Sequence, residues 1–218
     1  IGLWHVGRRQ ETARLHGSGA AVTSLVVHAS GTLIGGDTCG RIIVWDMGSG
    51  RIDEIFGTEH RGPVDALMLE GLDGVMSLDG GSRRLLSYYI WGGHYDGATP
   101  LGPSPVLAVA PVGEGWVAAA CADRRIRLAD IYGGRGTRPL ASHDWTVTAL
   151  CGIDACRMAS GGSDGMIRFW DVIDDCEVAC LNLGFVPIAL ALHPDGRLLV
   201  AQTGGQLTVL PFTLPAIE

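Results

Sequence analysis

Short apolar runs of four to six residues alternate along this chain with breaks rich in Gly, Asp and Ser. The runs keep a beat. One position, filled in turn by Trp4, Trp45, Ser87, Ala129, Trp170 and Leu210, returns every 40 to 42 residues. A second series, Val22, Val64, Val106, Val147 and Pro187, returns at the same interval. A fixed period of this length carried by short strands marks a repeat architecture.

The clearest unit reads as strands at 147–150, 157–160, 166–170 and 176–181. The Asp164-Gly165 pair supplies a tight hairpin turn between the second and third strands. Four antiparallel strands in about 40 residues make one propeller blade. The same layout predicts strands at 22–27, 32–36, 41–45 and 51–56, then at 64–69, 74–78 and 84–89 with an irregular fourth piece. It continues at 106–110, 116–121, 126–129 and a weak 137–140, then at 188–193, 197–202, 206–210 and 212–214. Residues 1–4 and 12–16 read as the third and outer strands of an incomplete blade.

The expected fold is therefore all-β: a β-propeller with a partial blade at 1–17 and five full four-stranded blades at 18–57, 58–101, 102–141, 142–183 and 184–218. That count does not close a ring by the usual exchange of terminal strands. A seven-bladed ring needs roughly 70 more residues, so the chain is expected to be part of a larger propeller. It opens on Ile1 with no charged-then-apolar leader, so no signal peptide is expected and an upstream segment is.

Composition agrees with buried strands. Hydrophobic residues make up 47% of the chain but aromatic ones only 6%, so the apolar mass is aliphatic, as suits strands covered on both faces. No run of 18 apolar residues predicts a membrane span. The net charge of −7 argues against a nucleic-acid partner. All 16 basic residues are Arg. Cys39, Cys121, Cys151, Cys156, Cys176 and Cys180 form no Cys-x-x-Cys pair and no zinc-like set. Reduced, mostly buried thiols in an intracellular protein are expected, with no metal and no cofactor.

The segments 160–171 (SGGSDGMIRFWD), 40–46 (GRIIVWD) and 193–196 (HPDG), with the regular spacing, resemble the WD40 repeat family. The resemblance covers the whole chain, strongly at 142–183 and in degenerate form elsewhere. It implies that His143, Ser160, Asp164 and Trp170 form a structural hydrogen-bond tetrad. Buried polar groups in a blade covered on both faces cost about 1–3 kcal/mol each if unpaired, and a closed chain of donors and acceptors avoids that. A Ser-His-Asp hydrolase triad is the functional rival. Ser160, inside a strand rather than on an exposed elbow, does not suit it, and no catalytic residue is assigned. Fragments of the tetrad persist elsewhere: His60 and Ser77 with Gly81 and Ser87; Asp123 with Gly102, Ala119 and Ala129; Trp45 with Ser18, Gly35 and Cys39. Blade four is expected to be the most rigid.

In propellers of this family the loops before the first strand and the hairpins between strands two and three share one face. The resemblance places Arg61, Arg83, Arg84, Arg124 and Arg125 there. Guanidinium groups suit carboxylate or phosphate, so these residues are candidates for docking an acidic or phosphorylated peptide. Ordinary solvated turns are the plain alternative. Trp91, in the aromatic stretch from Tyr88 to Tyr95, is either an exposed contact or a core plug. Two family roles lack their residues. The Arg that cullin-ligase receptors carry after Trp-Asp is Gly48 or Ile173 here, and the pairs Arg83-Arg84 and Arg124-Arg125 lack the flanks of the phosphoinositide motif. The resemblance therefore implies a non-enzymatic scaffold or adaptor that binds other proteins as a subunit of a larger complex. Recognition of acidic or phosphorylated peptides is the first alternative and a propeller-based enzyme the second.

Overall fold

The computed structural model describes residues 1–211 except 18, 58, 80–82, 114 and 133–135. Among these the chain is all-β, with one short 3-10 turn at Val6–Arg8, and no helix is long and apolar enough to cross a membrane. It falls into two compact units, Ile1–Pro100 and Leu101–Glu218.

The first unit holds a two-stranded sheet, β1 (Gly2–His5) with β2 (Gln10–Arg14), and two four-stranded blades. One blade runs β3 (Val22–Val27), β4 (Thr32–Asp37), β5 (Ile42–Asp46) and β6 (Arg51–Phe56). The next runs β7 (Val64–Glu70), β8 (Gly74–Asp79), β9 (Arg84–Tyr89) and β10 (Tyr95–Pro100). The second unit holds β11 (Val106–Val112) to β14 (Thr137–Ser142), through β12 (Trp116–Cys121) and β13 (Arg125–Asp130). It continues with β15 (Val147–Gly152), β16 (Arg157–Gly162), β17 (Met166–Asp171) and β18 (Cys176–Asn182), and ends with β19 (Pro187–Leu192), β20 (Leu198–Gln202) and β21 (Leu207–Leu210). These are five blades of the propeller type, each a meander in chain order with antiparallel neighbours. The last has three strands among the described residues, and the fourth expected at 212–214 lies outside them.

Strand position explains the sequence pattern. The second strands β4, β8, β12 and β16 are buried almost throughout, so they show no alternation. The outer strand β6 alternates exposed and half-buried positions, and β18 is largely exposed. Within each unit, the first strand of a blade packs on the first and second strands of the blade before it: β7 on β3 and β4, β15 on β11 and β12, β19 on β15 and β16. The cores lie in these seams. Ile34, Ile42 and Val44 meet Val64, Val75 and Leu86 in the first unit. Ala118, Ile126 and Leu128 meet Val147, Met158 and Trp170 in the second.

Two seams use one device. Thr23 Oγ1 donates to the carbonyls of Gly36 and Val64, and Thr148 Oγ1 donates to those of Gly161 and Pro187. Gly36 and Gly161 occupy equivalent places in β4 and β16. A methyl on Gly36 would overlap the Val64 side chain, and one on Gly161 would lie 2.7 Å from Pro187 Cγ. These glycines are needed for close approach between sheets.

The irregular piece expected before residue 101 is a regular strand, β10, whose register slips between Tyr95 and Gly97. The expectation of mostly buried thiols needs correction. All six cysteines are free, but only Cys121 and Cys151 are buried, while Cys39, Cys176 and Cys180 are exposed. Cys39 lies in a hairpin turn and the other two on the outer strand β18, places that the repeat leaves in solvent.

Candidate functional site

The polar network of the blade β15–β18 is built from four elements. His143 comes from the segment before β15, Ser160 from the middle of β16, Asp164 from the β16–β17 turn and Trp170 from β17. Trp170 Nε1 donates to Ser160 Oγ at 2.7 Å, and His143 Nε2 lies 2.7 Å from the same oxygen. An indole N–H only donates, so Ser160 accepts from Trp170 and its own hydroxyl can donate to His143 Nε2. That leaves a proton on His143 Nδ1, which faces Asp164 Oδ2 at 3.6 Å, an ion-contact rather than a hydrogen-bond distance. Burial lowers the pKa of His143, and Asp164 opposes that shift only in part. The imidazole is therefore neutral near pH 7. Ser160 is fully buried, so its hydroxyl is a structural group with no face open to a substrate.

The blade β7–β10 holds a related cluster that the repeat spacing misplaces. Ser77 pairs with Leu86 and Val75 with Tyr88, just as Ser160 pairs with Arg168 and Met158 with Trp170. Tyr88, not Ser87, thus stands where Trp170 stands. The β8–β9 hairpin is one residue longer than the β16–β17 hairpin, which shifts β9 along its partner. His60 Nε2 lies 2.7 Å from Ser77 Oγ and its Nδ1 3.0 Å from the Gly57 carbonyl. Tyr88 stacks on the imidazole and donates its hydroxyl to Glu59 Oε2 at 3.1 Å. Burial, with that acceptor, pushes the phenol pKa up well beyond the ordinary tyrosine range. Gly81 lies outside the described residues.

In the blade β11–β14, Arg127 takes the register position of Arg168. Its guanidinium grips Asp123 at 3.0 and 2.6 Å, which holds that carboxyl at a pKa of about 2. The blade β3–β6 has Gly35 at the serine position. A Cβ there would lie 2.8 Å from the Trp45 ring, and the indole donates instead to the His16 carbonyl at 2.9 Å. Ser18 lies outside the described residues.

Two buried acids escaped the sequence reading. Asp37 and Asp79, both fully buried, occupy the same place at the ends of β4 and β8. Asp37 Oδ1 accepts from the amides of Cys39 and Arg41, and its carboxylate pairs with the Arg41 side chain at 2.9 Å. Asp79 Oδ2 accepts from the Arg61 amide at 3.2 Å. The signal was present: each is 15 residues after the leading valine, Val22 or Val64. Asp37 fixes the β4–β5 hairpin, whose turn has Cys39 where Asp164 stands, whereas Asp79 ties the end of β8 to the segment before β7.

Arg61, Arg83 and Arg84 lie in the first unit, Arg124 and Arg125 in the second. Arg61 and Arg83 are exposed and Arg84 is half-buried. Arg124 and Arg125 are exposed, and Arg124 Nη1 donates to the Asp144 carbonyl at 2.8 Å. Arg124 has φ 67°, at the turn position that Gly40, Gly165 and Gly205 fill in other blades. Trp91 is 49% exposed and meets the His28 ring edge-on at 6.4 Å, while its neighbour Ile90 is core. Among the described residues no group of three His, Cys, Asp or Glu side chains could hold a metal ion.

The family described as WD domain, G-beta repeat matches at residues 9–46 and 135–171. Each match begins at the outer strand of one sheet (β2, β14) and ends with the third strand of the next (β5, β17). No curated protein matches the chain.

Proposed function

The chain belongs to the WD40-repeat family, whose propellers are in general scaffolds for other proteins, and from that premise we propose that it is a non-enzymatic adaptor subunit of a multi-protein assembly. The observation that carries this reading is a set of large apolar side chains held in solvent on the short segments between strands. Tyr132 is 69% exposed, Trp145 63% and Ile173 64%. Such residues on rigid supports are typical interface anchors. The net charge of −7 favours protein over nucleic acid as partner, and six free thiols suit a reducing intracellular compartment. Quantitative co-purification with the native chain and with Trp145→Glu and Tyr132→Glu variants tests it. Loss of a defined subset of partners at unchanged melting temperature is expected. Identical partner sets would overturn the reading.

The ring itself is part of the proposal. The sheet β1–β2 has two strands, and a cavity of about 750 Å³ opens beside Val22–Leu25, lined also by Ile1, His16 and Ala20. Further strands seated there, as in a seven-bladed ring with this sheet as a partial blade, would cover β3 as β3 covers β7.

A second reading, recognition of an acidic or phosphorylated segment, draws on the exposure of Arg61, Arg83, Arg124 and Arg125. Peptide titration with Arg83→Glu and Arg124→Glu variants decides it. Weakened binding is expected, and unchanged affinity overturns it.

A further inference from the structure

In the second unit, where the sheets β11–β14 and β15–β18 pack together, a cavity of about 190 Å³ is lined by Trp116, Leu128, Arg138, Ala155, Val172 and Ile173. Its walls are set in place. The Arg138 guanidinium lies 5.4 Å from the Trp116 ring centre, donates to the Val172 carbonyl at 2.6 Å and pairs with Asp175. Three contacts on one planar group fix it as a lid over the indole and satisfy its charge. The far wall is equally fixed, because Asp171 Oδ1 accepts from the amides of Ile173 and Asp174 at 2.8 and 3.0 Å. Most of what faces the cavity is apolar. At its rim Ile173 is 64% exposed.

The size and the charge of this notch select an occupant. Small-molecule sites run to about 300–1,000 Å³, so this one holds a single side chain rather than a cofactor. Among the described residues at this end of the two sheets, five carboxylates (Asp130, Asp154, Asp171, Asp174, Asp175) face two guanidinium groups, Arg138 and Arg157. Arg138 and Arg157 are already paired with Asp175 and Asp154. We propose that the notch seats one leucine-sized side chain from a cationic segment of a partner protein. This rests on the reading of the chain as a protein-binding scaffold and names the chemistry of one partner. It concerns a different surface from the arginine-bearing hairpins.

The test uses three short probes, acetyl-Arg-Leu-Arg-amide, acetyl-Arg-Ala-Arg-amide and acetyl-Glu-Leu-Glu-amide. Each is titrated into the full chain while the Trp116 indole N–H resonance, assigned with Trp116→Phe, is followed. The Arg-Leu-Arg probe should shift that resonance saturably. The alanine probe should bind about tenfold more weakly, as loss of a buried leucine side chain dictates. The Glu-Leu-Glu probe should lose about threefold or more through the rim charges. Ile173→Glu and Asp174→Lys, both at exposed positions, should weaken Arg-Leu-Arg binding at unchanged melting temperature. No saturable shift, or equal binding of the arginine and glutamate probes, would overturn the proposal. Neither result touches the co-purification test, so failure of the notch and failure of the scaffold reading are distinguishable.

Discussion

The Tyr88 ring lies nearly parallel to the imidazole of His60, 15° between planes and 5.8 Å between centres, while its hydroxyl points past the histidine to Glu59. A tyrosine thereby does in one blade what Trp170 does in another. It covers the histidine, but sends its polar tip to a different acceptor. Tyr88→Phe should cost about 1 kcal/mol, the net worth of a typical intramolecular hydrogen bond. Tyr88→Ala should cost about 3 kcal/mol or more. Ser87→Ala should cost less than either. Denaturant melts of the three variants check this order.

His143 is more deeply buried than His60, and its loss leaves the buried Ser160 hydroxyl proton without its acceptor, although Trp170 keeps its bond to Ser160. His143→Ala should destabilise the protein by about 2–4 kcal/mol, since it empties a packed site and leaves buried polar atoms unpaired. His60→Ala should cost about 1–2 kcal/mol, because the Tyr88 hydroxyl keeps Glu59. Equal losses in matched melts would contradict the ranking.

Acid should act through the same histidine. Burial lowers the folded-state pKa of His143 below 6.5, whereas in the unfolded chain it takes its ordinary value. The unfolded state therefore binds the proton first. The stability contributed by neutral His143 is complete above about pH 6.5 and declines as pH falls from there toward the lowered folded value. Replacing His143→Gln should flatten this part of the stability–pH curve, measured by urea melts from pH 7.5 to 5.

The close seams make a steric prediction. Gly36→Ala should cost about 1–3 kcal/mol, because the new methyl meets the buried Val64 side chain. Val64→Ala on that background should recover part of the loss, so the double-mutant cycle should show a coupling of about 1 kcal/mol or more. Additive losses would show that β7 does not press on β4 at this point.

How much of this was legible depends on what a repeat encodes. Strand positions follow from apolar runs and turn residues, so among the described residues every strand but β10 falls close to an expected place, and His143 and Trp170 both meet Ser160. Pairing across a hairpin is harder, because one extra residue in the β8–β9 turn moves the partner strand by one place and exchanges Ser87 for Tyr88. Counting from Trp to Trp cannot detect such a slip where the Trp itself is missing. Asp37 and Asp79 are hard to recognise in the sequence because they stand at the ends of β4 and β8, ahead of the turn position that Asp164 occupies. The exposure of Cys176 and Cys180 follows from their place on an outer strand, which composition does not record.

The staggered boundaries of the two family matches bear on how such chains change length. Each match takes the outer strand from one sheet and three strands from the next. Excising the stretch from Thr137 to Asp171 would therefore join β13 to β18 and rebuild a four-stranded sheet of mixed parentage, with no strand orphaned. Whole periods can be lost or gained in this way at no cost to sheet completeness.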